Sequence, residues 1–323
     1  MAPAVRKTAL HPSVPPQKLS RPNGFKPVSI SVGTNGNVTR LFVRDDLVEE
    51  VFARTTTGFA SFPKTQTEEQ YSPIAVVSSP SRSDEIRLSG LTATFPKIEM
   101  LPSNEILVVA MRSQRFADGS YELNGKVYDL SGALRREFLL GDGIQHVQSD
   151  PHGNIWVGYC DEGVYGNFGW QDAPFGAWGL SCFSESGYKL WDFHPPEGFD
   201  PISDCYALNA TQKGVWAYYY TGFPFVHIDE NRQVRCWKTE SAGGRTFAVG
   251  KENVLLYGGY NNERTTCKLF NISDEAAELV ADVSLVLPTE VELSKSTVIG
   301  RNAELHVFSG DVWYRFSIES LRC

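Results

Sequence analysis

The sequence predicts an all-β chain: a β-propeller of four-stranded antiparallel blades, six in number, closed by an N-terminal strand in the last blade. Three observations carry this. Helical periodicity is almost absent beyond residue 24, where segments of five to nine residues rich in Val, Ile, Tyr, Phe and Trp alternate with Gly, Pro, Asn, Asp and Ser. A strand–turn–strand unit then recurs, with reference positions at Leu107, Trp156, Trp216, Leu255 and Leu305. Those positions are spaced near fifty residues, the length of one propeller blade. Finally, "SDPHGNIWVGY" (149–159) sets five turn formers directly before an apolar run. Such a stretch reads as a tight hairpin leading into a strand covered on both faces.

The elements follow in order. Residues 1–24 hold five prolines, four Lys/Arg and no acidic residue. That composition cannot bury a core and predicts a disordered basic arm before a single propeller domain over 25–323. The first blade spans 38–90, with the three segments "VTRLFVR", "SPIAVVSS" and "EIRLSG". Complete blades cover 91–142, 143–200, 201–242 and 243–293, each with a second hairpin such as "GLSCFSESGYKLWDFH". The C-terminal "STVIGRNAELHVFSGDVWYRFSIES" supplies only three strands, and "VSISV" (28–32) is the expected fourth. Pairing it there removes open sheet edges.

Composition bounds the function. The net charge is −8 and the pI near 5.4, which argues against nonspecific nucleic-acid binding. No run of 18 apolar residues and no signal-peptide core appears, so no membrane partner is expected. Six cysteines lie 22 to 56 residues apart without a CxxC pair. This spacing supports reduced thiols in a cytoplasmic protein and argues against a zinc site; a monomer is expected. No P-loop, GxGxxG, HExxH or serine-nucleophile motif is present.

The repeat "DPHGNIWVGYCDEGVYG" resembles that of two-component-sensor propellers and streptogramin lyases, which carry Asp-x-x-Gly-Asn-Ile-Trp, a strand and a Gly. The match falls on Asp150, Gly153, Asn154, Ile155, Trp156 and Gly163, and partly on "ATQKGVWAYYYTG". The resemblance implies an architecture. The lyases hold a metal with a His/Glu pair, and sugar-lactonase propellers hold calcium with Glu, Asn and Asp. Neither set stands in register here, so no metal or cofactor is expected.

Propeller ligands sit on the face built by loops that enter the first strand and leave the second. Ten positions before the reference residues lie Lys97, His146, Tyr206, Arg245 and Lys295; the exits bring Arg112, Asp161, Glu162, Tyr220, Tyr260 and Asn261. One reading makes Lys97, Arg112, Arg245 and Lys295 a cationic funnel for a carboxylate or phosphate. The other has these charges pair and seal the channel. His146 and Glu162 are the catalytic candidates if the protein is an enzyme, although a lone histidine at a strand start also serves structure. The loop 161–179 holds five glycines and five aromatic residues, with Trp170 and Trp178 able to stack on a ligand or to form a lid. Two functions stay open. One is a recognition propeller for a protein or an anionic small molecule. The other is a lyase or hydrolase acting on an anionic or cyclic substrate.

Overall fold

The computed structural model describes residues 5–321. The fold is a β-propeller of six antiparallel blades, and the chain packs as two compact units. The first is made of Ser20–His194 and Pro201–Cys205; the second of Met1–Leu19, Pro195–Asp200 and Tyr206–Cys323.

The first unit holds blades 1 to 3. Blade 1 pairs Phe25–Val32, Val38–Arg44, Ile74–Ser78 and Ser83–Arg87 in chain order. The "VSISV" segment is therefore the first strand of blade 1, not the closing strand of the last blade. The insertion between its second and third strands forms a short helix, Val48–Val51, and a hairpin, Arg54–Thr57 with Ala60–Pro63. Blade 2 pairs Lys97–Met100, Ile106–Val109, Gly125–Tyr128 and Leu134–Phe138. Blade 3 pairs Ile144–Ser149, Ile155–Tyr159, Leu180–Phe183 and Lys189–Asp192. The second strands of blades 2 and 3 are apolar throughout because both faces are covered: every residue of Ile106–Val109 and of Ile155–Tyr159 is buried.

The turn that opens blade 3 works as its sequence suggests. The Asp150 carboxylate accepts hydrogen bonds from the His152 and Asn154 amides, the Asn154 side chain and the Trp156 indole (2.7–3.0 Å). Gly153 sits at φ +86°, where a Cβ would be strained. A single aspartate thus closes the hairpin and anchors the tryptophan that begins the buried strand.

The second unit holds blades 5 and 6 and blade 4 from Tyr206 onward. Blade 4 pairs Asp204–Thr211, Gly214–Tyr220, Phe225–Ile228 and Val234–Trp237. Blade 5 pairs Thr246–Val249, Asn253–Tyr257, Cys267–Ile272 and Ala277–Leu285. The last of these strands pairs with Cys267–Ile272. Blade 6 has Thr297–Arg301, Glu304–Ser309 and Val312–Ser317, and Gln17–Lys18 supplies the fourth strand. Arg6–Leu10 adds to blade 5 as a fifth, parallel strand in register with Ala281–Leu285. The expectation of an unpaired arm is thereby corrected for these residues. Leu10 and Leu19 are buried, so the segment brings apolar anchors that its overall composition conceals.

Candidate functional site

In the first unit, Lys97 opens the first strand of blade 2, opposite Val109. Its side chain is half-buried and makes no hydrogen bond or ion pair with another described residue. Burial lowers its ammonium from 10.5 to about 8, with Cys160 acting in the opposite sense.

Cys160 follows the buried second strand of blade 3, and the short helix Asp161–Tyr165 begins directly after it. Glycines allow the close approach this needs. A Cβ on Gly163 would lie 2.4 Å from the Asp142 carbonyl oxygen, and one on Gly143 would lie 2.3 Å from the Gly163 nitrogen. Cys160 Sγ donates to Glu162 Oε2 (3.2 Å). Burial, then Glu162, pushes the thiol up to about 12, so it serves as a donor and not as a thiolate. Ligand atoms of Cys160, Asp161 and Glu162 lie within 4.8 Å of one another. A cation held there would have to displace the thiol proton first. Asp204, the first residue of blade 4's first strand, is half-buried and forms no side-chain hydrogen bond. Burial, then Asp161 and Glu162, raises it from 3.8 to about 6.

Arg112 occupies a different environment. It is fully buried and donates Nε and Nη2 to both Asp142 carboxylate oxygens (2.8 and 2.7 Å). Its Nη1 lies 3.3 Å from Glu162 Oε2, and its guanidinium stacks 4.5 Å from the Phe168 ring centroid. The expected place for Arg112 on an open cationic wall is thus corrected: its charge is spent inside the protein. Trp170 is likewise a packing residue, buried, with Nε1 donating to the Ser113 carbonyl (2.8 Å). Trp178 stays 44% exposed and meets His194 edge-on at 4.1 Å. His146 pairs opposite Gly158 in the first two strands of blade 3.

In the second unit, the Tyr206 and Tyr260 hydroxyls are 2.7 Å apart, and both rings pack on Phe223, as does Tyr220. Asn261 lies in the exposed turn after Tyr260, and Arg245 is exposed just before Thr246–Val249. Lys295 stands out of register. Val298 takes the position that Lys97 holds in blade 2: Val298 pairs with Val307 as Lys97 pairs with Val109, each partner two residues past its reference leucine. Lys295 instead forms a turn ion pair with Glu292 (3.0 Å). The shorter hairpin of blade 6 slips the count by three.

The structure therefore gathers Lys97, Arg112, Asp161 and Glu162 in one unit and Tyr206, Tyr220, Arg245 and Asn261 in the other. Sequence reasoning passed over Cys160 and Asp204. The available signal for Asp204 was its position two residues before Tyr206, at the mouth of a first strand.

A family model described as the YxzG family matches residues 177–315. A comparison with curated proteins finds no match. Similar solved structures include virginiamycin B lyase from Staphylococcus aureus (12% identity, 94% of this chain and 98% of that one, TM-score 0.44). A gluconolactonase from Xanthomonas campestris matches at 12% identity over 98% of this chain and 97% of that one, with TM-score 0.43. A chain of a mitotic checkpoint complex matches at 5% identity over 98% and 95%, with TM-score 0.50. What is shared is the fold. At such identities nothing about substrate or activity transfers.

Proposed function

We propose that this protein is a recognition propeller that binds a small molecule through an anionic group held by Lys97. The polar remainder of the ligand meets Asp161, Glu162 and Asp204. The single observation behind this reading is the Lys97 amine, half-buried yet without a protein partner. Keeping an unpaired ammonium out of water costs stability, and such a cost is tolerated where a ligand supplies the missing counter-charge. The funnel shrinks to this one cation in the first unit, because Arg112 is already neutralised by Asp142.

A thermal-shift screen of small carboxylates and phosphates tests the reading, since a ligand preferring the folded state raises the melting temperature. A stabilising anion should lose its effect in Lys97→Met, and its effect in the natural protein should fade as the pH rises through about 8. An anion that stabilises Lys97→Met equally well overturns it.

A second reading, a lyase or hydrolase, rests on Asp204 at about 6 and Lys97 at about 8, two groups placed either side of neutral pH. Groups with such values can give and take protons near neutral pH. It requires a pH–rate profile bounded by those values and lost in Asp204→Asn.

A further inference from the structure

A groove of about 500 Å³ in the second unit has a chemistry that the site above does not use. Its volume lies within the usual small-ligand range of roughly 300–1,000 Å³. Its floor is Trp216, whose ring stacks on Trp237 (5.4 Å, 10° between planes) and on His227 (4.7 Å, 27°). Its walls are the two turns of blade 5, residues 250–253 and 271–274.

The groove is built in advance. Trp237 Nε1 donates to the Ser273 carbonyl (2.8 Å), and the Arg235 guanidinium lies 5.2 Å over the Trp237 ring while bonding to Asp274 Oδ1 (2.7 Å). These contacts pin the 273–276 turn to blade 4, so a ligand need not order it.

Two polar groups in this rigid setting are left over. Among the described residues, the indoles of Trp156, Trp170, Trp237 and Trp313 donate to protein acceptors, whereas those of Trp178, Trp191 and Trp216 do not. The half-buried Trp216 indole donates to none, and the half-buried Asn271 carboxamide makes no hydrogen bond either. The charges lining the groove cancel: Arg235 and Lys251 against Glu252 and Asp274. Burial holds His227 below its ordinary value, so it adds no charge at neutral pH. The groove thus offers an aromatic floor, an unpaired donor, an amide that both donates and accepts, and no net charge. A ligand matching that set is uncharged, with apolar ring faces and many hydroxyls.

We infer that this groove binds a neutral carbohydrate, with the sugar against Trp216 and its hydroxyls bonded to the Trp216 N–H and the Asn271 carboxamide. The test uses maltotriose, cellotriose and triacetylchitotriose as probes, titrated calorimetrically into the full chain and followed by tryptophan fluorescence. At least one should bind saturably at millimolar concentration, with an affinity indifferent to added sodium chloride. Asn271→Ala should weaken binding about tenfold, the effect of one lost hydrogen bond to a polar ligand. Trp216→Phe, which keeps a ring and removes the donor, should do likewise, with circular dichroism showing that both variants fold. Absence of binding by all three sugars overturns the inference. So does binding that salt abolishes, or binding that both folded variants retain in full.

Discussion

Blade 2 carries two cations, one opening its first strand and one past the end of its second, and they have opposite fates. Arg112 is fully buried, doubly bonded to Asp142, stacked on Phe168 and touched by Glu162. Lys97 is half-buried with no partner. The guanidinium has the planar fork that a carboxylate fits, so burial with Asp142 satisfies both groups. The ammonium has three donors and nothing to give them to. A satisfied charge belongs to the structure; the unsatisfied one is what the proposed site is built on.

The largest test breaks the first half of that contrast. Arg112→Met strands Asp142 without a counter-charge and removes the tie between the segments at 112 and 142. It should destabilise the protein by about 3–5 kcal/mol in chemical denaturation. Arg112→Met combined with Asp142→Leu should recover much of that loss, because the cost lies in the orphaned carboxylate. A single variant as stable as the natural protein would show that the pair contributes nothing.

Asp150 is the next in size and shows what the sequence made legible. One side chain accepts four hydrogen bonds, so Asp150→Ala removes all four, the bond from the buried Trp156 indole among them, and should cost about 2 kcal/mol. Unchanged thermal stability would deny the turn its role. The turn was readable because its whole mechanism lies within seven residues: an acceptor, a glycine at positive φ and a tryptophan donor. The boundaries of blades 2 to 5 were readable for the same reason, since their hairpins announce themselves locally. Strands whose partners are remote in sequence were not. Gln17–Lys18 pairs with Val312–Trp313 nearly three hundred residues away, and two residues between prolines carry no periodic signal. The site was legible only in part. Counting ten residues back from each reference found Lys97 but misplaced Lys295, because hairpin length differs between blades and register follows hydrogen bonds, not counts. Nor could composition tell that Arg112 would be buried, which depends on Asp142 thirty residues later.

Smaller effects sharpen the other half of the contrast, and they have the opposite sign. Lys97→Met exchanges a desolvated ammonium for an apolar side chain of similar length. It should raise stability by about 1–2 kcal/mol at pH 7 while abolishing anion binding. The pH dependence follows from the direction of the shift. The folded-state value of about 8 lies below the unfolded 10.5, so the unfolded chain holds the proton more tightly. The natural protein therefore gains stability as pH rises from 8 to 10.5, and the advantage of Lys97→Met disappears over the same interval. A variant less stable than the natural protein at pH 7 would place Lys97 among the structural cations.

Asp204 gives the smallest and cleanest signal. Its folded value of about 6 lies above the unfolded 3.8, so the native state binds a proton more readily between those limits. Natural stability then falls as pH rises from 3.8 to 6, and the full penalty applies above 6. Asp204→Asn removes that penalty and should stabilise by about 1 kcal/mol at pH 7, with no difference from the natural protein below pH 3.8. Urea unfolding at a series of pH values reads both limits directly. A gap between the two proteins that stays constant across the interval would mean that the carboxyl is not under strain from burial and from Asp161 and Glu162, and the acidic side of the proposed site would lose its basis.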